Sequence, residues 1–341
     1  MAPPAEAAVD AMTPLALAAQ QLDRVRSPMV GAVLGRSAAL RGIAASRRAR
    51  LALGGVVALA TALAVSVAVP EAWFVWAPLV LGVPHVFADI RYLVLAPYRR
   101  IALRRRDAVL AGGLVALAVV ASPGLGATVV VGAVVLTPVA DLRRHAVVLA
   151  AAIALAYAAW STPVMTSYVI LHGHNLVALV VLAAVARAGG VGWRIAGGAL
   201  AITLVVLSGA LDASLPIAAL DRLAGYVLPD AALARWSPAM CARVALSFVF
   251  LQSVHYAAWL RLIPAAARAH GGMRGFGASL RALERDCTAP VVTIVVGTAL
   301  ALPALAVLGA SDAWALRDLY LQLAGGHAYL ELAVLARWLA A

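Results

Sequence analysis

Five of the seven histidines in this 341-residue chain lie inside apolar runs: His85, His172, His174, His255 and His327. Two of them have a carboxylate four residues on, His85 with Asp89 and His327 with Glu331. At that spacing ring and carboxylate share one face of a helix, one turn apart. Imidazole suits iron, copper and zinc, and mixed histidine and carboxylate ligation with open positions is the pattern of non-haem iron chemistry. His85, Asp89, His172, His174, His255, His327 and Glu331 are therefore the candidate metal ligands, the carboxylates completing or orienting the shell. Fe(II) is the expected ion, and haem held axially by pairs of the same histidines is the alternative. A third use is a proton relay in a carrier, since ionisable groups at membrane depth usually have a function. One such histidine alone would be explained by a hydrogen bond to a neighbouring helix, but four segments bringing imidazoles to one depth weigh against a purely structural role.

The elements that must position these residues are membrane spans. The chain is 64% hydrophobic and 12% charged, with a mean hydropathy of +0.96, which excludes an ordinary water-soluble globule. Apolar runs rich in Ala, Val and Leu, without a period of two, favour helices over a β-barrel. The fold class is all-α: a polytopic membrane bundle of about ten spans, near residues 51–69, 73–97, 108–121, 125–140, 145–160, 163–186, 195–211, 240–264, 290–308 and 313–338. Residues 1–50 read as an Arg- and Ala-rich cytoplasmic extension with a surface helix at 15–25, and residues 51–341 as the bundle. Residues 212–238 read as an outer loop. All 27 basic residues are arginine, and they cluster in alternate loops, which places both termini on the cytoplasmic side. That accounts for the net charge of +12 without a nucleic-acid partner; the expected partners are membrane lipids and a lipid-soluble small molecule, and the expected place is a bacterial inner (cytoplasmic) membrane.

Spans 2, 6, 8 and 10 carry the five histidines and all run from outside to inside. At 1.5 Å per residue the rings fall roughly 12 to 25 Å from the outer ends, around the bilayer middle. In span 6, Tyr168, His172 and Asn175 share a face, whereas His174 points about 200° away, so His172 is the preferred ligand unless Gly173 breaks the helix. In span 8, Gln252, His255 and Trp259 line up; in span 10, Tyr320 lies on the stripe of His327 and Glu331. His145 and His270 fall in or beside loops, where a solvated role is the default. Pro84, Gly173, Gly325 and Gly326 stand beside the histidines, and irregular backbone at that depth is tolerated where protein or a cavity surrounds it.

Residues 82–89, GVPHVFAD, resemble the Gly-x-Pro-His-x-x-x-Asp segment of the Brp/Blh-type membrane carotenoid dioxygenases. The resemblance implies a multi-helical membrane fold, intramembrane histidines that bind iron, molecular oxygen as co-substrate and a lipid-soluble polyene as substrate. By motif, it carries over to His85 and Asp89. Val86 and Ile90 stand where that family usually has glycine and histidine, and His255 is alone where it has a pair. The chain has neither the histidine boxes of membrane desaturases nor a Walker A, GxSxG or HExxH motif. The reading that follows is a metal-dependent membrane oxidoreductase or dioxygenase.

Overall fold

The computed structural model describes residues 14–95, 122–186, 190–214, 217–267, 275–287, 289–309 and 312–341, and every regular element among them is helical. They are α1 (Pro14–Gly35), α2 (Ala38–Ala45), α3 (Arg47–Ala68), α4 (Pro70–Asp89), α5 (Pro123–Val135), α6 (Leu142–Ser161), α7 (Pro163–Val185), α8 (Val191–Leu207), α9 (Ile217–Val227), α10 (Asp230–Leu233), α11 (Pro238–Ala257), α12 (Ile263–Ala267), α13 (Phe276–Asp286), α14 (Ala289–Val307) and α15 (Ala313–Ala340). The chain divides into two compact units, residues 1–47 with 270–294 and residues 48–269 with 295–341.

In the smaller unit α1 packs against α13. The Asp23 carboxylate accepts hydrogen bonds from the Phe276 and Gly277 amides, at 2.7 and 2.9 Å, and so caps α13 from another helix. Those amides hold its carboxyl below the usual range. A Cβ on Gly275 would stand 2.5 Å from Asp23 Oδ2, so the cap needs glycine there.

The larger unit is a helical bundle built around α11. From Ala245 through Tyr256 every residue of α11 is buried, the mark of a helix enclosed on all sides. Phe248, Phe250, Val254 and Trp259, each at most 2% exposed, extend the core along it. Helices α4, α7, α8 and α9 pack on α11, and α15 packs on α4, α5, α6 and α7.

Six helical segments are long and apolar enough to cross a membrane: Arg47–Ala68, Pro70–Val94, Leu142–Ser161, Pro163–Val185, Pro238–Ala267 and Ala289–Val307. Pro123–Val135 and Val191–Leu207 are apolar but shorter, and α15, with 28 residues, is about 42 Å long. Six of the ten spans read from the sequence thus fall on candidate membrane-crossing helices, and three more fall on helices outside that set; the tenth, at 108–121, lies outside the described residues. Large apolar side chains are exposed along these helices, among them Val56, Val147, Tyr157, Leu204 and Leu300. So much exposed apolar surface suits hydrocarbon rather than water.

Part of the expected outer loop is helical. In α9, Leu220, Leu223, Ala224 and Val227 repeat at spacings of three and four, are at most 1% exposed, and pack against α11 with Phe74. Asp212 anchors the start of this segment. Arg243 Nε donates to Asp212 Oδ1 at 3.0 Å, and its Nη2 also bonds the carboxylate. That guanidinium holds the Asp212 carboxyl below the usual carboxylate range.

Candidate metal centre

Four helices supply the centre: α4 gives His85 and Asp89, α7 gives His174, α11 gives His255 with Tyr256, and α15 gives Tyr320, His327 and Glu331. One ligand atom from each of His85, Asp89, His255 and His327 falls in a group spanning at most 4.8 Å. His85 Nε2 and His327 Nε2 are 3.3 Å apart. Two nitrogens bound to one ion at about 2.0–2.1 Å stand roughly 2.9–3.5 Å apart at ordinary coordination angles, so this pair already has the right separation. His174 stands beside the group, its ring centroid 5.0 Å from that of His255 and 5.4 Å from that of His327. Glu331 Oε1 lies 3.9 Å from His255 Nε2, and the Glu331 carboxyl neighbours those of Asp89 and the Trp259 indole.

The backbone sets the tautomers. His327 Nδ1 donates to the Ala324 carbonyl and His174 Nδ1 to the Ile170 carbonyl at 3.2 Å, which leaves Nε2 of each ring as a lone pair. That is the orientation a metal-binding imidazole needs. His85, Asp89, His255 and Glu331 are at most 2% exposed, yet His85 Nδ1, both His255 nitrogens and all four carboxylate oxygens meet no hydrogen-bond partner in good geometry. Each unpaired buried polar atom costs about 1–3 kcal/mol, and a buried ionised carboxylate more. A cation shared among these donors satisfies them together, so the residues fit a bound metal.

Helix direction follows from the same contacts. His85 meets His327, and one turn later Asp89 meets Glu331. Only helices running the same way can pair both layers, so α4 and α15 are parallel. After the ligands the backbone widens: Ile90–Leu95 continues α4 as a π-helical turn, and Ala258–Leu262 does so after α11, with the Ile263 amide bonded to the Ala258 carbonyl five residues back. Such turns are frequent at functional sites.

A cavity of about 580 Å³ adjoins the centre. Its lining includes His85, His174, His255, His327, Tyr256 and Tyr320, and it extends to Ser122 and Ser167 near the starts of α5 and α7. The Tyr256 ring lies edge-on to His85 at 4.7 Å, and its hydroxyl accepts from Gln252 Nε2 at 3.2 Å. Tyr320 Oη is buried without a partner. A Cβ on Gly82 would stand 2.3 Å from Tyr320 Cζ, so the glycine in GVPH makes room for that ring.

Two sequence expectations change. His172 is not in the group: its Nε2 donates to the Val227 carbonyl at 2.8 Å and its ring meets Phe248 at 5.1 Å. Helix α7 runs unbroken through Gly173, so the two rings face different ways and His174 is the one turned toward the other imidazoles. His145, expected in a solvated setting, is 7% exposed in the first turn of α6. His270 lies outside the described residues. Tyr256 escaped the sequence reading, because a helix buried all round gives no periodic cue to which neighbour of His255 matters.

No family model, no curated protein and no solved structure matches this chain. The family likeness therefore rests on residues 82–89, and the functional reading rests on the geometry.

Proposed function

We propose that the chain is an integral membrane oxidoreductase that holds non-haem iron and acts on a lipid-soluble small molecule, with oxygenase chemistry of the carotenoid-cleaving kind as its closest analogue. The observation that carries this is the gathering of His85, Asp89, His255 and His327 within 4.8 Å beside a cavity of about 580 Å³. A mixed set of imidazoles and carboxylate facing a space large enough for a small molecule is the arrangement of a catalytic site with an open position. Bound iron supplies a redox couple and an open coordination position, neither of which the side chains possess.

The chain's own residues do the rest. His85, His255 and His327 hold the ion, and Asp89 offsets its charge in a setting that excludes water. His174 closes the side of the centre next to His255. Tyr320 Oη, buried and unpaired, is placed to donate a hydrogen bond to a substrate oxygen in the cavity, and Gln252 orients the Tyr256 hydroxyl beside it. The exposed apolar helices put the cavity within reach of the bilayer, so a lipid-soluble substrate enters without a water-facing domain. Haem fits less well. Between two axial imidazoles its plane must be free of protein, whereas here His255 and Asp89 occupy the same few ångströms as His85 and His327. The seat of the protein is then a bacterial inner membrane.

Elemental analysis and an absorption spectrum of detergent-purified protein test this reading. Wild-type protein is expected to hold iron with no Soret band, His85→Ala and His327→Ala each to lose it, and His172→Gln to keep it. A strong Soret band would select haem. Equal metal in every variant, or none in any, would remove the metal centre and leave the carrier reading.

A further inference from the structure

Resting on the metal-centre reading above, we infer that the centre is dinuclear, with two metal ions bridged by the paired carboxylates of Asp89 and Glu331. The first ground is distance. Ligand atoms on one ion with bonds of about 2.1 Å cannot be more than about 4.2 Å apart. One ligand atom each from His85, Asp89, His255 and His327 fits within 4.8 Å, and Glu331 and His174 stand outside that set, so six donors exceed what one such group takes in. Two close pairs lie among them, each at a separation that fits its own ion: His85 Nε2 with His327 Nε2 at 3.3 Å, and His255 Nε2 with Glu331 Oε1 at 3.9 Å.

The second ground is the number of unpaired donors. Four imidazoles and two carboxylates converge, and both nitrogens of His255 and all four carboxylate oxygens lack partners. One ion among His85, Asp89, His255 and His327 leaves the Glu331 carboxyl still buried, at 0% exposure, and without a partner. A second ion between Glu331 and His255 would satisfy it. The third ground is the parallel pairing of α4 and α15. Each brings a histidine and, one turn on, a carboxylate, and bundle cores hold two ions with histidines and carboxylates projecting inward from facing helices. Asp89 and Glu331 would then bridge two ions at the separation of about 3.5–4 Å usual for two-metal sites. The first ion would have four protein donors (His85, His327 and the two carboxylates) and the second three (His255 and the two carboxylates), leaving room for an anionic co-ligand from the cavity.

The full chain, purified in detergent and loaded anaerobically with Fe(II), tests this by stoichiometry. Wild-type protein should bind two equivalents of iron and Glu331→Gln one. The ion between His85 and His327 orients the bridging carboxylates, so loss of either histidine removes both ions, whereas Glu331→Gln removes the second alone. After air oxidation, two coupled ferric ions give no electron paramagnetic resonance signal, whereas Glu331→Gln should show the strong signal of an isolated ferric ion. One equivalent and an isolated-ion signal in wild-type protein would overturn the dinuclear centre and leave the single-ion reading standing. Two equivalents in both proteins would also overturn it, because Glu331 would then not hold the second ion. No iron in either would remove the underlying metal-centre reading. The wild-type measurement decides the matter even if Glu331→Gln fails to fold.

Discussion

At the scale of single residues, the centre repeats one step on two helices, a histidine with a carboxylate four residues on. The four-residue step in His85–Asp89 and in His327–Glu331 signals a shared helix face without any structure, and the contacts between the two pairs follow from it. His172 and His174 show the limit. Both lie in one apolar helix, and a helical wheel cannot say which side meets α11 and α15 when Ile170, Val177, Ala178 and Val181 bury more than one face. Away from the centre, Asp212 gives a pH test. Hydrogen bonding to Arg243 depresses its carboxyl pKa in the folded state, so its contribution is present above the unfolded value and is lost as pH falls through the folded one. Asp212→Asn is therefore expected to melt below wild type at neutral pH, with the gap closing under strongly acid conditions. A gap that stays constant across that range in a thermal shift series would mean that the pair contributes nothing through charge.

At the scale of helices, the two π-helical turns explain how a regular sequence pattern can serve an irregular site. A π-turn holds one residue more than an α-turn, so the segments on either side keep their facing while the extra residue bulges. Trp259, Leu262 and Ile263 are at most 1% exposed beyond His255, and the turn at Ala258–Leu262 lets them stay buried without rotating the histidine away. Nothing in the periodicity of the sequence marks that turn, because α11 is apolar all round. Its position predicts an asymmetry between two one-residue deletions. Removing Ala258 should close the π-turn to a regular helix, with iron retained and stability lowered. Removing Ala245 from the regular part should turn the two halves of α11 by about 100° against each other and abolish iron binding. Equal loss in both, measured as iron per protein, would show that the turn absorbs no extra residue.

At the scale of the whole molecule, hydropathy found the spans and helix direction adds their parity. The last helix, α15, is absent from the six spans that length and apolarity alone select, and it carries Arg317, Asp318, Glu331 and Arg337. Arg317 is nonetheless buried, its guanidinium 3.7 Å over the Phe74 ring and its Nε bonded to the Phe74 carbonyl. Because α4 and α15 are parallel, two such crossings must have an odd number of crossings between them. Helices α5, α6, α7, α8, α11 and α14, if each crosses, make six, so a seventh is required. The apolar run at 108–121, outside the described residues, is the sequence's candidate for it, flanked by the arginines of 99–106 that favour the cytoplasmic side. Ten crossings in all then leave both ends of the chain in the cytoplasm. Green fluorescent protein fused at Met1 or at Ala341 should fluoresce in both cases, since it matures only on that side. A dark fusion at Ala341, active when replaced by a periplasmic reporter, would mean an odd count, and the parallel pairing that builds the metal centre would then need another crossing removed or added between α4 and α15.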